Sequence, residues 1–156
     1  MQHIYYTDGS CMPNPGKGGF AVVDIFLNEN NEEEFFDSYY EKTNESTNNR
    51  EELKAVLWVM ENKSNGIFKD ENFIKGTIPL VYSDSAYVVN CFNDWIFKWR
   101  DNGWKRSKNQ SIENLDLMKK FIELYDKGYR IDLKRIPGHS GHKWNELADK
   151  IAKGEN

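Results

Sequence analysis

The sequence contains little cysteine, no long hydrophobic run and no excess of positive charge. Its 156 residues include two cysteines, Cys11 and Cys91, which excludes a disulfide framework and a multi-cysteine zinc site. We therefore expect both to be ordinary small side chains in a reducing, cytoplasmic protein. No apolar run approaches the ~18 residues that cross a bilayer, which argues against an integral membrane protein. The first residues hold neither a basic nor an apolar segment, so no secretory signal is predicted.

The net charge of −4 argues against a simple basic nucleic-acid-binding protein. The charges are unevenly distributed, however. Residues 28–41 carry six acids and no base, and no function follows from this stretch. Residues 96–110 carry five bases and one acid. Because local fields decide where a polyanion binds, this basic window is a candidate contact for nucleic acid.

Large apolar side chains are plentiful. Hydrophobic residues make up 38% of the chain and aromatic residues 14%, too many for a disordered protein. A chain of this length buries roughly two thirds of its unfolded surface, which is enough for a core. No internal repeat and no long linker divides the sequence. We predict a single domain over residues 1–156.

Hydrophobic periodicity and turn residues predict an α/β fold. Apolar, β-branched and aromatic runs predict five strands, at residues 3–7, 20–26, 34–40, 78–82 and 129–136. Apolar spacings of three and four residues predict helices within residues 47–60, 85–101, 112–122 and 144–152. The segments 62–77 and 102–111 are predicted to be loops. Three strands followed by alternating helices and strands indicate a mixed sheet covered by helices.

Two of the predicted strands end in the same way. Ile4-Tyr5-Tyr6-Thr7-Asp8 and Leu80-Val81-Tyr82-Ser83-Asp84 each run from apolar residues through a hydroxyl residue to an aspartate. If the strands are parallel neighbours, both aspartates lie at the carboxyl edge of the sheet, where α/β proteins bind ligands. A divalent cation such as Mg²⁺ would remove their mutual repulsion. Glu52 and Asp149 could add further oxygens, and acidic clusters that bind a pair of metal ions cleave phosphodiesters.

Each of these residues alone also has a purely structural interpretation. Asp8 before a glycine suits a turn, and Asp84 suits a helix N-cap. Glu52 and Asp149 suit a solvated helix surface, and His139 suits a glycine-flanked loop. Only their combination indicates a site.

Five segments together carry a resemblance to a known family. They are Tyr6-Thr7-Asp8-Gly9-Ser10-Cys11, Thr47-Asn48-Asn49-Arg50-Glu51-Glu52-Leu53, Tyr82-Ser83-Asp84-Ser85, Gly138-His139-Ser140-Gly141-His142 and Asn145-Glu146-Leu147-Ala148-Asp149. Each alone is weakly specific, but the five in this order and with these gaps are highly specific. Over nearly its whole length the sequence resembles ribonuclease HI, the type 1 ribonuclease H family.

The resemblance implies a fold and an activity. The fold would be a five-stranded mixed sheet, its first three strands antiparallel, with helices on both faces. The activity would be endonucleolytic hydrolysis of the RNA strand of an RNA–DNA hybrid, leaving 3′-hydroxyl and 5′-phosphate ends. Two Mg²⁺ ions, with Mn²⁺ as an alternative, would be held by Asp8, Glu52, Asp84 and Asp149. His139 would assist proton transfer or product release.

The resemblance also implies where a hybrid binds to a monomeric enzyme. The 2′-hydroxyls would meet Glu52 and the backbone of Gly9, Ser10 and Cys11. The nucleic acid would touch Asn14, Asn48 and Asn49, with Thr47 in a pocket for a DNA-strand phosphate. Residues 85–110 resemble a basic handle, whose proposed groove and phosphate contacts are Tyr87, Trp95, Trp99, Lys98, Arg100, Lys105, Arg106 and Lys108. Alternatively, Trp95, Trp99 and Trp104 are mainly core residues that hold the helices together.

Two other functions remain open on the residues alone. An integrase, transposase or junction resolvase would use a similar carboxylate cluster on DNA, since fold does not determine function. The His139 loop and the basic handle favour the hybrid-specific nuclease over these. A non-catalytic binding module, such as a detached domain of a reverse transcriptase, is disfavoured because a binder gains nothing from acids that face a polyanion.

Overall fold

The computed structural model describes residues 2–64, 78–107, 110–136 and 142–155. Within these residues the main sheet has five strands, in the spatial order β3-β2-β1-β4-β7. Pairing is antiparallel between β1 and β2 and between β2 and β3, and parallel between β1 and β4 and between β4 and β7. The strands are β1 (His3–Cys11), β2 (Gly16–Leu27), β3 (Glu33–Ser46), β4 (Leu80–Ser83) and β7 (Asp132–Arg135). The predicted mixed sheet, antiparallel in its first half, is confirmed.

A small ribbon was missed by the sequence analysis. Strands β5 (Lys105–Ser107) and β6 (Gln110–Ser111) pair with each other inside the predicted loop 102–111. These strands are too short and polar to show an apolar alternation, so no periodic signal marks them.

The helices lie close to their predicted positions. They are α1 (Asn48–Lys63), α2 (Ala86–Asn90), α3 (Ile96–Asp101), α4 (Leu115–Asp126) and α5 (Lys143–Ala152). A π-helical turn, Cys91–Trp95, joins α2 to α3, so the region predicted as one or two helices runs almost continuously. Most of the segment predicted as the loop 62–77 lies outside the described residues.

The first two strands are longer than predicted. From the sequence, β1 is predicted to end near Asp8 and β2 to begin at Phe20, because glycine and proline disfavour strands. In the structure Ser10 pairs with Gly19 and Cys11 with Gly18, and the Met12 amide donates to the Lys17 carbonyl at 3.0 Å. Pairing with a neighbouring strand therefore overrides the local preference.

Helices cover both faces of the sheet, as predicted. On one face α1 packs its apolar stripe, including the fully buried Leu53 and Met60, with α4 beside it. On the other face α5 places Trp144 and Ala148 against Ile25. Among the described helices, none has the length and apolar character to cross a bilayer.

Candidate active site

The two strand-end aspartates lie side by side. In the parallel pairing of β1 and β4, Thr7 is opposite Ser83, so Asp8 and Asp84 follow at the same edge of the sheet. The predicted proximity of Asp8 and Asp84 depended on parallel, neighbouring strands, and β1 and β4 are such a pair. Asp8 is buried, with 4% of its surface exposed, whereas Asp84 is partly exposed.

The first turn of α1 brings Glu52 to these aspartates. Thr47 caps the helix and accepts a hydrogen bond from the Arg50 amide at 3.1 Å, as suits its residue type. The helix then lies directly on β1, because Gly9 has no side chain to hold it away. A Cβ at Gly9 would lie 2.3 Å from the Glu52 backbone nitrogen. One carboxylate oxygen each of Asp8, Glu52 and Asp84 falls within 4.8 Å of the others.

A buried ion pair beside Glu52 fixes the start of α1. Glu51 is fully buried and accepts hydrogen bonds from Ser46 Oγ at 2.6 Å and Thr43 Oγ1 at 3.0 Å. Lys54 Nζ lies 3.0 Å from a Glu51 oxygen. This network joins the helix to the end of β3, and a buried ion pair with added hydrogen bonds favours one arrangement of its surroundings. Glu51 had no predicted role, since an acid in the first turn of a helix usually faces solvent.

Asp149 reaches the same edge from α5. Its negative charge contributes to raising the pKa of Asp8, although burial is the larger cause. Lys153 Nζ lies 3.0 Å from Asp149 Oδ2. Asn145 Nδ2 donates to Asp84 Oδ2 over a long 3.4 Å. Asn145 and Lys153 were not predicted, but both lie four residues from Asp149, and that helical spacing is a signal that could have found them.

The carboxylates strongly disfavour a fully ionised state in the absence of a cation. Burial, with the charges of Asp84 and Asp149, raises the pKa of Asp8 to about 7. Burial and the neighbouring Asp8 raise the pKa of Glu52 well above its usual range. Both shifts have the physical cause expected when like charges share a poorly solvated site.

The residues present fit a divalent metal ion. Glu52 Oε2 is buried and has no hydrogen-bond partner among the described residues. An unsatisfied buried carboxylate oxygen is costly, and its natural partner here is a cation. Three convergent carboxylates are the hard oxygen ligands that Mg²⁺ and Mn²⁺ prefer. Asp149 lies beside this group and could complete it.

This electrostatic conflict predicts an unusual pH dependence of stability without metal. Because the pKa of Asp8 is about 7 when folded and about 4 when unfolded, the folded state binds more protons between these values. This stabilisation is full below about pH 4 and is lost as the pH rises through 7. At ~1.4 kcal/mol per unit, the loss amounts to a few kcal/mol.

Urea unfolding in EDTA at pH 5 and pH 7.5 would measure this effect. We expect the wild type to lose stability between pH 5 and pH 7.5, and Asp8→Asn to lose much less. Adding Mg²⁺ should restore the stability of the wild type at pH 7.5. Equal pH dependence in the wild type and the variant would contradict the shifted pKa of Asp8.

The polar residues predicted to contact nucleic acid gather next to the carboxylates. The Cys11 amide donates to Asn48 Oδ1 at 2.6 Å, and the Asn48 amide donates to Asn14 Oδ1 at 3.0 Å. A cavity of about 590 Å³ is lined by Asn14, Pro15, Thr47, Asn48, Asn49, Glu113 and Asn114. The structure thus brings Asn14, Thr47, Asn48 and Asn49 together around one cavity, which Glu113 and Asn114, marked by no motif, also line.

The aromatic residues of the handle line a neighbouring cavity. A space of about 480 Å³ lies between Asn49, Tyr87, Trp95, Trp99 and Glu113. Trp95 is 38% exposed, while Trp99 and Trp104 are partly buried against the core. The core interpretation therefore fits Trp99 and Trp104, whereas Trp95 is exposed and its contact with nucleic acid stays a prediction.

The basic residues of the handle differ in their surroundings. Lys98 lies 3.5 Å from Asp94 and Arg100 lies 3.2 Å from Asp101, so each has a partner for its charge. Lys105 is exposed. The side chain of Arg106 lies outside the described part of the structure, as do Lys108 and the predicted catalytic His139.

Sequence comparisons find similar proteins over most of the chain. Residues 1–156 match the family model described as RNase H. The "Ribonuclease H" of Wolbachia pipientis wMel is 36% identical over 151 residues, which cover 96% of this chain and 92% of that protein. That of Caldanaerobacter subterraneus subsp. tengcongensis is 37% identical over 148 residues, covering 94% of this chain and 86% of that protein.

Solved structures share the fold. LC9-RNase H1, a type 1 RNase H with the type 2 active-site motif, aligns with a TM-score of 0.74 and 27% identity, covering 99% of this chain and 74% of that one. LC11-RNase H1, solved in complex with an RNA/DNA hybrid, aligns with a TM-score of 0.65 and 20% identity, covering 99% and 96%. At 20% identity the likeness concerns the fold.

Proposed function

The chain belongs to the RNase H family, and we propose that it is an endoribonuclease that hydrolyses the RNA strand of RNA–DNA hybrids. The observation that carries this proposal is the group formed by Asp8, Glu52 and Asp84, whose oxygens converge within 4.8 Å. The relatives that share most of the chain are named for the same activity.

We further propose that Asp8, Glu52, Asp84 and Asp149 hold two Mg²⁺ ions, which Mn²⁺ can replace. Bound there, the ions would supply an activated water and would stabilise the charge that develops on the phosphate and the leaving oxygen. The protein orients the ligands: Asn145 donates to Asp84, and Lys153 pairs with Asp149. His139 is proposed to assist proton transfer or product release. The expected ends are a 3′-hydroxyl and a 5′-phosphate.

The proposed discrimination of RNA from DNA depends on the end of β1. The 2′-hydroxyl both donates and accepts hydrogen bonds, so backbone groups of Gly9, Ser10 and Cys11 suffice to detect it. Cys11 is held in place because its amide donates to Asn48. Small polar side chains near this segment would contact backbone atoms of the nucleic acid without selecting a base sequence.

We propose that the chain works as one monomeric domain in the cytoplasm, where reducing conditions suit Cys11 and Cys91, neither of which is in a disulfide.

Cleavage of a 5′-labelled RNA strand tests the proposed function. The strand would be offered as a hybrid, as a single strand and as an RNA duplex, in Mg²⁺ and in EDTA, with a DNA duplex and a DNA junction alongside. We expect metal-dependent internal cuts in the hybrid alone. Hybrid binding without cleavage would favour the binding module, and cleavage of DNA alone would favour the integrase or resolvase function.

Neutralising the handle should weaken hybrid binding in a salt-dependent way. Lys105→Gln, Arg106→Gln and Lys108→Gln together remove three charges from the basic window, and each phosphate contact contributes roughly 0.7–0.9 to the slope of log K against log salt. We therefore expect the slope to fall by about 2 to 3, measured by fluorescence anisotropy over a KCl series.

The matched control for the handle removes three charges elsewhere, by Lys63→Gln, Lys120→Gln and Lys127→Gln. Lys63 ends α1, Lys120 lies on α4 and Lys127 is the residue that follows α4. A handle variant that keeps the wild-type slope would exclude the handle as a phosphate contact.

A further inference from the structure

A second basic surface lies beside the carboxylates and is formed by residues outside the handle. It borders a cavity of about 400 Å³ whose lining includes Lys17, Lys42 and Lys153, against one acid, Glu155. The three lysines come from β2, β3 and the residue after α5, so they lie far apart in the sequence and converge only in the fold. Such a concentration of positive charge is unexpected in a chain of net charge −4. We call it the lysine groove.

The sheet register connects the lysine groove to the carboxylates. Ser10 pairs with Gly19, and Gly19 pairs with Lys42, so these residues form one row across β1, β2 and β3. The neighbouring row runs from Asp8 through Ala21 to Tyr40. Because residues two apart on a strand share a face, Lys42 and Asp8 lie on the same face of the sheet. At about 4.8 Å between strands, Lys42 stands roughly 10 Å from Ser10.

The missing side chain of Gly19 lets β3 and the end of α5 approach each other over β2. Gly19 lies between Ser10 and Lys42, and a Cβ there would lie 2.7 Å from Tyr40 Cε2 and 3.1 Å from the Ala152 carbonyl. Tyr40 and Ala152 therefore pack closely over Gly19, and both line the groove together with the lysines.

Lys153 forms the boundary between the groove and the active site. It lines the groove and at the same time lies 3.0 Å from Asp149. The groove and Asp149 are therefore separated by no more than the side chain of Lys153. A nucleic-acid strand that rises about 3.4 Å per nucleotide would cover the roughly 10 Å from Ser10, two residues after Asp8, to Lys42 in about three nucleotides.

We propose that the lysine groove binds the phosphates of the strand being cut, within about three nucleotides of the scissile bond. Lys17 and Lys42 are the contacts, and they hold the RNA strand from β2 and β3. The RNA strand is its occupant because the groove continues from the carboxylates that receive the scissile phosphate. This inference rests on the proposed function for the identity of the strand.

The first test measures hybrid binding, which does not require cleavage. The variant Lys17→Gln/Lys42→Gln leaves Lys153 and its partner Asp149 unchanged. Anisotropy in EDTA over a KCl series should show roughly tenfold weaker binding at low salt and a slope lower by about 1 to 2. The matched control, Lys63→Gln/Lys127→Gln, removes the same charge from the end of the molecule where α1 and α4 end. A groove variant that matches the control in affinity and slope would overturn the proposal.

The second test locates the phosphate. Hybrids with a single methylphosphonate are scanned along the RNA strand near the cleavage site, and a parallel set is scanned along the DNA strand. We expect one or two RNA positions to weaken wild-type binding but not binding of the double variant, because the contact is already lost there. Coupling at DNA positions instead would overturn the assignment to the cut strand. A wild type that binds the hybrid but does not cleave it would refute the proposed function, whereas the binding comparison would still decide the groove.

Discussion

Asp84→Asn should reduce hybrid cleavage by about 10³-fold or more and leave the protein folded. Asparagine keeps the size and shape of aspartate but lacks its charge, and Asp84 is one of the three carboxylates that converge within 4.8 Å. Loss of a residue that merely orients a metal ligand typically costs 10- to 100-fold, so loss of a ligand should cost more. Without metal, one fewer charge in the cluster should leave the free energy of unfolding unchanged or raise it by about 1 kcal/mol.

Two measurements separate these effects. Single-turnover cleavage of a labelled hybrid gives the loss of rate, and urea unfolding with and without Mg²⁺ gives the stability and its increase on metal binding. The wild type should gain more stability from Mg²⁺ than the variant does. Asp126→Asn, at the exposed end of α4, is the matched control and should behave as the wild type. A cleavage rate above about a tenth of the wild-type rate would contradict a ligand role for Asp84.

Gly9→Ala should damage both the stability and the activity of the protein. The new Cβ would lie 2.3 Å from the Glu52 nitrogen and 2.4 Å from the Glu51 carbonyl carbon, both backbone atoms of α1. The helix must therefore move away from β1, and overpacking of this kind costs about 3 kcal/mol. The same movement separates Glu52 from Asp8. Because a shift of about 1 Å at a catalytic group can cost 100-fold, we expect cleavage to fall by at least that factor.

Gly103→Ala is the matched control for this substitution. Gly103 has a φ of +69° but no heavy atom within 4 Å of a Cβ. It should therefore lose only the ~1 kcal/mol of a left-handed alanine and keep its cleavage rate. Unfolding in urea and single-turnover cleavage, compared between the two variants, test whether close packing rather than glycine loss matters. Equal behaviour of the two variants would show that Gly9 is not required for the approach of α1.

Much of the fold could be predicted from the sequence because its signals are local. The apolar spacing of Leu53, Val56, Leu57 and Met60 marks one face of a helix, and all four are buried. Thr47 caps that helix as its residue type predicts. Ile4–Asp8 and Leu80–Asp84 show the same pattern, and their strands are parallel neighbours. These features depend on a few adjacent residues, so a window of the sequence contains their cause.

Strand lengths and the small ribbon were decided by tertiary contacts instead. The glycines of Gly16–Gly19 disfavour a strand in isolation, yet they pair with the end of β1 on one side and with β3 on the other. No single segment of the sequence contains β2 and both of its partner strands. The composition of Gly16–Gly19 alone therefore predicts a loop, whereas hydrogen bonding to two neighbouring strands makes this segment a strand.

The sequence by itself determined which acids are available, the order of the strands and helices that present them, and the presence of a basic window in an acidic chain. Only the tertiary structure decided how close Glu52 comes to Asp8, that Glu51 is buried in an ion pair, and that three distant lysines share one groove. The physical reason is that these properties depend on distances between residues far apart in the chain. Gly9 and Glu52, or Lys17 and Lys153, become neighbours only when the whole sheet and its helices pack together.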